Sequence, residues 1–348
     1  MSGKIDEILI DRDGDMIRAV GFSQRQLVDI AREPADRRVA VGTIHRVRVA
    51  RAVHGGVFVD LPGGLVALLD TPNPPQPGRT LLVQVIEPPA ADKRARISTR
   101  LALEGANAVL LPGGKGASVS KRISAAKREA LQGRAHTFLR EGEGLILRGG
   151  ALEIDDAALG AEIDALRAKA AAFVRDGAPE MLSSDDAVTA LVRTLGAPEA
   201  RVLTPDAELA KLAGITHDKF AFDRHDAASL LEKLETQRVD LPSGAWLSIE
   251  RTAALVAIDV NSGAAKDDAL TIDLEAAREI ARQIRLRDLA GLIAVDILRV
   301  VKPGERARLL DAFKHATRHD RRRVDVLGIT AGGLVEMTRA RSQGRAGE

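Results

Sequence analysis

The sequence predicts a multidomain α/β protein that contains a small β-barrel. At 348 residues the chain is longer than one hydrophobic core usually organises, so two or more domains are expected. Short alternating strands follow one another from about residue 39 to residue 104, which is typical of a small barrel. A strand, a helix and a second strand over residues 256–297 predict two parallel strands joined by a crossover helix.

Composition excludes several kinds of site. The chain has no cysteine, which rules out disulfides, thiolate zinc sites and cysteine nucleophiles, so any metal must be held by oxygen or imidazole. No run approaches the roughly 20 apolar residues that span a bilayer. The segment MSGKIDEILID lacks the apolar core of a secretory signal, so we expect a cytoplasmic protein without membrane partners.

Charge is balanced overall but clustered locally. The formal net charge is only +2, yet nine Lys and Arg face three Asp and Glu between residues 299 and 323. Two further basic clusters are HRVRVAR at 45–51 and KRARISTR at 93–100. Such segregation suits a face that binds a polyanion, although any single cluster could equally be a solvated helix face.

The first half of the chain is rich in strand patterns. KIDEILIDRDGDMIRAVGF reads as two short strands with a turn at Asp13-Gly14-Asp15. The strands VGTIHRVRVA, GGVFVDLPGGLVALLD, TLLVQVIEP and RARISTRLAL then follow, separated by Gly and Pro clusters. They resemble the S1 type of OB-fold, a nucleic-acid binder. Residues 107–198 mix strands such as GLILRGG with alanine-rich stretches, of which DAALGAEIDALRAKAAAFVRDG is predicted to be an amphipathic helix.

The clearest pattern lies beyond residue 238. A hairpin around Pro242-Ser243-Gly244 leads into the strand VAIDVNSG, a helix is predicted over Leu274–Leu289, and GLIAVDI reads as a buried strand. Asp259 and Asn261 share one face because the period of a strand is two. Asp296 ends the second strand, and parallel strands present their carboxyl ends at one rim, where α/β sheets bind ligands.

Two carboxylates brought together at a sheet rim indicate a cation site. Like charges a few ångströms apart repel unless a cation lies between them or one is protonated. Oxygen ligands favour Mg²⁺ or Mn²⁺, and the basic segments nearby would suit hydrolysis of a phosphodiester. The alternative is that each aspartate is an ordinary cap or ion-pair partner.

The segments TAALVAIDVNSG and TIDLEAAREIARQIRLRDLAGLIAVDI are very similar to the catalytic segment of the ribonuclease E/G family. The likeness continues more weakly in the barrel, in Ser120-Lys121-Arg122-Ile123, and in GLILRGG, DLPSG and GGLVEMTRAR. The resemblance implies that Asp259 and Asp296 hold a catalytic Mg²⁺, with Mn²⁺ also possible, and that Asn261 orients one carboxylate. It implies cleavage of single-stranded RNA to 5′-phosphate and 3′-hydroxyl ends, in RNA processing or decay.

The same resemblance implies a domain plan and a set of RNA contacts. An RNase H-like fold would be split over residues 1–36 and 199–237, with an S1 domain at 37–104 and a 5′-sensor-like region at 105–198. A DNase I-like catalytic subdomain would occupy 238–348. The residues expected to contact RNA are Phe58, Lys121, Arg122, Arg148, Arg299 and Arg323.

The chain departs from the family pattern at several positions. Without cysteine it lacks the zinc link between protomers, so a monomer or a metal-independent dimer is expected. The Arg-Thr pair of the 5′ sensor falls on Arg148-Gly149, a second exposed barrel aromatic falls near Ala67, and Arg299 stands where a carboxylate is common. Phe58 could be a barrel-core residue, and Arg148 and Arg323 could be solvated charges.

Two other functions are therefore weighed against the enzyme. One is an S1-containing RNA-binding protein that has the fold but little or no cleavage, which the missing zinc link, threonine and aromatic favour. The other is an enzyme that acts on a small phosphorylated metabolite, which the barrel disfavours.

Overall fold

The computed structural model describes residues 4–89, 93–119, 125–173, 176–298, 302–318 and 320–340. Over these residues the protein is a mixed α/β chain that divides into two compact units. We call residues 34–186 the inserted unit, and residues 4–33 together with 187–340 the split unit.

Over the described residues the strands are, in chain order, β1 Glu7–Asp13, β2 Met16–Ser23, β3 Gln26–Pro34, β4 Ile44–Val53, β5 Gly56–Leu61, β6 Leu65–Asp70, β7 Thr80–Glu87, β8 Ala95–Ser98, β9 Leu103–Glu104, β10 Ala108–Pro112, β11 Gly116–Val119, β12 Glu143–Leu147, β13 Glu180–Ser183, β14 Arg201–Thr204, β15 Thr216–His217, β16 Arg238–Asp240, β17 Trp246–Arg251, β18 Val256–Asn261, β19 Gly291–Asp296, β20 Val324–Ile329 and β21 Leu334–Arg339. The α-helices are α1 Ala125–Phe138, α2 Asp156–Ala171, α3 Ala187–Leu195, α4 Ala207–Ala213, α5 Ala221–Arg224, α6 Ala227–Lys233, α7 Ala269–Leu286 and α8 Pro303–Thr317. Short 3₁₀ helices cover Arg37–Val39 and Gly149–Leu152.

The inserted unit contains a closed five-stranded barrel. Its strands run in the order β4-β5-β6-β8-β7, and β7 returns to pair with β4. Alternate residues such as Val57, Val59 and Val83 point into the barrel and are fully buried, as the period of two requires. The predicted barrel is therefore confirmed, and it is consistent with an OB-like domain. β13, from far along the chain, adds to the free side of β4.

The rest of the inserted unit is a four-stranded sheet, β11-β12-β10-β9, against which α1 and α2 pack. The amphipathic helix predicted from the alanine-rich segment is α2. Asp155 caps it by accepting from the Ala158 N–H at 2.7 Å, and Leu159, Ile163 and Leu166 form its buried stripe.

One sheet of the split unit combines strands from the two chain segments that make up this unit. β1 pairs in parallel with β14, so the N-terminal strands and residues 201–217 form a single sheet in the order β15-β14-β1-β2-β3. The sequence predicted two N-terminal strands, but a third, β3, follows them. The turn into β3 uses Gln24 and Arg25 at φ 48° and 65°, so no glycine marked it. The RNase H-like assignment of this sheet stays a prediction.

The second sheet of the split unit has the order β16-β17-β18-β19-β21-β20. Its buried residues, including Ile258, Val295 and Val335, pack with α7 and α8 in one hydrophobic core. Helix α7 begins at Ala269, five residues before the predicted start, because the Asp268 carboxylate caps it by accepting from the Thr271 N–H and hydroxyl. The DNase I-like assignment of this subdomain stays a prediction.

No helix of the described residues is both long enough and apolar enough to cross a membrane.

Candidate active site

Asp259 and Asp296 lie directly opposite each other on neighbouring strands. β18 and β19 pair in parallel with Asp259 in register with Asp296, which confirms the predicted parallel, adjacent arrangement of the two strands. Neighbouring strands lie about 4.8 Å apart, and residues in register point to the same face of the sheet. Both aspartates are exposed, whereas their neighbours Val260 and Val295 are buried against the helices. The two carboxylates therefore emerge together from the face opposite α7 and α8.

Asn261 orients the first carboxylate. It lies two residues beyond Asp259 on the same strand face, and its side-chain N–H donates to Asp259 Oδ2 at 2.7 Å. That hydrogen bond restricts rotation of the Asp259 side chain and leaves Oδ1 available to another ligand. On the adjacent strand β17, Ser248 is the register partner of Asp259 and Trp246 that of Asn261.

The arrangement fits a hard divalent cation. Among the described residues neither Asp259 nor Asp296 has an ion-pair partner, so two negative charges share the rim without compensation. The described residues contain no cluster of three or more His, Cys, Asp or Glu that could enclose a metal. Mg²⁺ commonly uses one or two protein carboxylates and completes its shell with water and phosphate oxygens, which is the donor set available here. The described residues therefore provide no cation with which either aspartate could form an ordinary ion pair.

Asp273 is a site-proximal residue that the sequence reasoning missed. It lies on α7, is fully buried, and accepts a hydrogen bond from the backbone N–H of Leu298 at 3.0 Å. Its Oδ2 has no hydrogen-bond partner among the described residues. Burial raises the pKa of Asp273 to about 7, although the Leu298 hydrogen bond acts in the opposite direction. Leu298 follows Asp296 by two residues, so Asp273 holds the backbone that leaves the site. The sequence feature that could have revealed Asp273 is its position, since it is a carboxylate among the residues of α7 that face the core.

The comparison with known proteins decides the family. A model of the ribonuclease E/G family matches residues 102–208 and 199–342, well over half of the chain. This chain belongs to the ribonuclease E/G family. Ribonuclease E of Nostoc sp. is 33% identical over 76% of this chain and 43% of its own length. Ribonuclease G of Escherichia coli is 28% identical over 97% of this chain and 80% of its own. Escherichia coli ribonuclease E is 30% identical over 78% and 28%. The chain thus spans less than half of either ribonuclease E.

The barrel residue that we expected to contact RNA lies on the outer face of the barrel. Phe58 lies on that face between buried Val57 and Val59, so it is not a core residue. The guanidinium carbons of Arg51 and Arg94 lie 5.1 and 4.7 Å from its ring centroid. These two arginines were not singled out from the sequence.

The second aromatic of the family pattern was placed near Ala67, and the structure shows where that residue lies. Ala67 is fully buried inside the barrel, and the residue in register with Phe58 is Leu68. A surface position near Ala67 therefore falls on a neighbouring residue such as Leu68, because the Ala67 side chain itself points inward.

The predicted phosphate contacts Arg148 and Arg323 are both engaged within the chain. Arg148 donates to the Glu104 carboxylate at 2.8 Å and to the Gly105 carbonyl at 2.9 Å. Arg323 is well exposed and pairs with Asp325 at 2.8 Å. Lys121, Arg122 and Arg299 lie outside the described residues.

Two of the three arginines that end the 299–323 basic run, Arg321 and Arg322, are largely shielded from solvent and paired with carboxylates. Arg321 pairs with Asp29, and Arg322 with Asp288 at 2.9 Å. Arg339, which is fully buried, joins them by pairing with Asp288 and Asp320. Burial raises the pKa of Asp288, but the surrounding arginines, Arg322 first, more than offset this and hold it below its ordinary value. Arg321 and Arg322 are therefore structural, whereas the other described Lys and Arg of the run are exposed, so a polyanion-binding or solvated face there stays a prediction.

The 45–51 basic cluster also contains both buried and exposed side chains. Arg46 is buried and pairs with Glu180, and His45 is fully buried with its Nε2 on the Arg38 carbonyl at 2.7 Å. Burial lowers the pKa of His45, which favours the neutral ring. Only the later part of the cluster, Arg48 and Arg51, is exposed.

A cleft of about 430 Å³ in the split unit lies away from the two carboxylates. Four arginines line it, Arg18, Arg32, Arg251 and Arg287. Arg251 is in register with Val256, at the opposite end of the β17–β18 pair from Asn261. The two aspartates are exposed and do not line this cleft, an arrangement that suits a polymer lying across a surface better than an enclosed small molecule.

Proposed function

We propose that this chain is a metal-dependent endoribonuclease that cleaves single-stranded RNA during RNA processing or decay. The observation that carries the proposal is the register of Asp259 with Asp296, together with the hydrogen bond from Asn261 to Asp259. Membership of the ribonuclease E/G family, and relatives named ribonuclease E and ribonuclease G, support a nuclease.

Asp259 and Asp296 would hold Mg²⁺, or Mn²⁺ in its place, through carboxylate oxygens. When bound, such an ion supplies an activated water and stabilises charge on the phosphate, so that hydrolysis leaves 5′-phosphate and 3′-hydroxyl ends. Asn261 keeps the Asp259 carboxylate in one orientation by its hydrogen bond to Oδ2. Asp273 holds the Leu298 backbone and thereby fixes the segment that follows Asp296.

The barrel would bind the RNA chain. Phe58 offers a ring on which a base can stack, and the guanidinium groups of Arg51 and Arg94 lie close to that ring. Stacking on aromatic rings and contacts from arginine are how proteins bind single strands with little sequence preference.

An RNA-binding protein without cleavage is the second candidate. It is favoured by the small donor set, since the described residues offer two carboxylates at the rim and no larger cluster. Such a protein would bind RNA through the barrel and leave it intact in the presence of any divalent ion.

Incubation of the purified chain with an end-labelled single-stranded RNA separates the two. We expect cleavage with Mg²⁺ or Mn²⁺ and none with chelator, and products that accept a 5′ label from a kinase only after phosphatase treatment. Asp259→Asn and Asp296→Asn should abolish cleavage while RNA affinity stays within a few-fold, because contacts elsewhere supply most of the binding.

Asp311→Asn, a change to an exposed aspartate of the same unit, is the matched control and should cleave normally. Full activity in chelator, or in either site variant, would contradict the proposed metal site. Binding without cleavage under every metal condition would establish the second candidate.

A further inference from the structure

Trp246 is the one tryptophan of the chain, and it lies beside the two carboxylates. As the register partner of Asn261 it points to the same sheet face as Asn261 and Asp259. It is diagonal to Asp259 across the strand pair, a relation that places Cα atoms about 7–8 Å apart. The ring is only partly buried, whereas the next residue, Leu247, is fully buried in the core. Trp246 therefore contributes its ring to the rim and not to the core.

The indole is held in place by its neighbours. The Arg238 guanidinium carbon, on the edge strand β16, lies 4.6 Å from the ring centroid. Arg238 is itself positioned by its Nε–H, which donates to Asp240 at 2.8 Å. The loop that leaves Asn261 passes so close that a Cβ at Gly263 would lie 3.1 Å from Trp246 Cδ1 and 2.5 Å from the Gly244 carbonyl oxygen. Gly263 also has φ +52°, so glycine is the residue that permits this approach.

A half-exposed aromatic ring stacked with an arginine has a recognised use in RNA recognition. Unpaired bases stack on aromatic side chains and on guanidinium planes. Arg238 also carries a positive charge near the phosphates that flank a stacked base. The ordinary alternative is a surface cation–π pair that stabilises the sheet edge. That alternative does not require a ring next to the site's carboxylates, nor a glycine that lets the site loop touch it.

We propose that Trp246 and Arg238 form a subsite that stacks one nucleobase of single-stranded RNA, within about two nucleotides of the scissile phosphate. This rests on the proposed nuclease function and names the substrate part that the rim recognises. Stacking is tolerant of base identity because every base has a π-face, so the subsite sets the position of the RNA and not its sequence.

Fluorescence offers a direct test because a single tryptophan reports from a single place. In chelator, which prevents cleavage, a single-stranded oligoribonucleotide should quench Trp246 emission as binding saturates, with saturation followed separately by anisotropy of a labelled strand. Inorganic polyphosphate of similar charge should bind without comparable quenching. Equal quenching by both, or none at saturating RNA, would overturn the proposal.

Cleavage kinetics test the position of the base. Trp246→Ala removes the ring on which the base stacks and should lower kcat/KM for cleavage by roughly 5- to 150-fold. Trp246→Phe keeps an aromatic ring and should lower kcat/KM by much less. A set of RNAs with one abasic nucleotide moved along the strand should show one sensitive position near the scissile phosphate. At that position Trp246→Ala should add no further loss, which is the non-additivity expected of direct partners.

Arg251→Gln is the matched control for Arg238→Gln. Both remove an exposed arginine from the same sheet, but Arg251 lies at the far end of β17. Only Arg238→Gln should weaken cleavage more when a base is present at the sensitive position than when that position is abasic. Equal effects of the two variants, or additive losses for Trp246→Ala at every abasic position, would count against the subsite.

The two proposals fail in distinguishable ways. If Asp259→Asn abolishes cleavage and Trp246→Ala changes nothing, the nuclease stands and the subsite falls. If no condition gives cleavage but RNA quenches Trp246 and polyphosphate does not, the subsite stands and the nuclease falls.

Discussion

At the scale of the residue, Asp273 ties pH to the stability of the split unit. Its pKa is raised to about 7 in the folded protein, against an ordinary value near 3.8 in the unfolded chain. The folded state therefore keeps the proton that the unfolded state releases, so the favourable contribution is complete below about pH 4 and is lost as pH rises towards 7. The change over that interval is on the order of 4 kcal/mol.

Asp273→Asn should remove this pH dependence. Asparagine can still accept from the Leu298 N–H but cannot ionise. The stability of the variant relative to the wild type should therefore rise by about 4 kcal/mol between pH 4 and pH 8. Urea unfolding followed by Trp246 fluorescence reports on the same subdomain and measures the difference. An unchanged difference between the two proteins across this range would show that Asp273 titrates normally.

Arg148 leads to a second prediction at this scale, on sensing of the RNA 5′ end. Gly149 supplies no hydroxyl, and Arg148 must leave Glu104 before it can bind a phosphate. We expect a preference under about tenfold for 5′-monophosphate over 5′-hydroxyl RNA, equivalent to less than about 1.4 kcal/mol. Glu104→Gln should increase the preference by freeing the arginine. Initial cleavage rates on the two forms of one oligonucleotide decide it, and a preference near a hundredfold would mean that another group replaces the threonine.

At the scale of the element, an ion-pair network joins three chain segments of the split unit. Asp288 ends the α7 region, Asp320 and Arg322 lie between α8 and β20, and Arg339 ends β21. Arg339 is fully buried and Asp320 is 3% exposed, so each charge depends on its partner. Removing one partner of such a pair leaves an uncompensated buried charge, which is usually far more costly than losing a surface pair.

Asp320→Ala should therefore destabilise the split unit by about 3–5 kcal/mol. The matched control is Asp325→Ala, which breaks the exposed pair with Arg323 and should cost less than about 1 kcal/mol. Both are measured by urea unfolding followed at Trp246. Similar losses in the two variants would show that the buried network is not what holds these segments together.

At the scale of the whole molecule, residues 34–186 form a compact unit with its own cores. The sheet that forms the barrel is extended from far along the chain, since β13 at Glu180–Ser183 pairs with β4. Ile44 of β4 also packs with Leu101, Leu103 and Leu110 in the core of the neighbouring sheet. The five-domain plan, the cytoplasmic location and the zinc-independent assembly stay predictions.

Two fragments test the integrity of this unit. Residues 34–186 should fold alone and bind single-stranded RNA without cleaving it. Residues 37–104 should have a lower melting temperature or aggregate, because they expose Ile44 and the free side of β4. Circular dichroism melts compare them, and equal melting temperatures would show that β13 and the shared core add nothing to the barrel.

The sequence by itself determined the features that depend on local periodicity. The alternation in VAIDVNSG and GLIAVDI, and the helix between them, were enough to place Asp259 and Asp296 at one rim, because a short crossover leaves parallel neighbours as the common outcome. The alternating barrel strands and the amphipathic α2 were predictable for the same reason, and the family resemblance supplied the chemistry.

Only the tertiary structure decided which charged side chains form ion pairs within the protein. Arg321 reads as part of a basic run, yet it pairs with Asp29, 292 residues away in sequence. Arg148 meets Glu104 across 44 residues, and Trp246 becomes a rim residue because β17 pairs with β18 in one register. Contacts between residues so far apart leave no trace in local spacing, because burial and pairing of a polar side chain depend on the neighbours that folding brings to it.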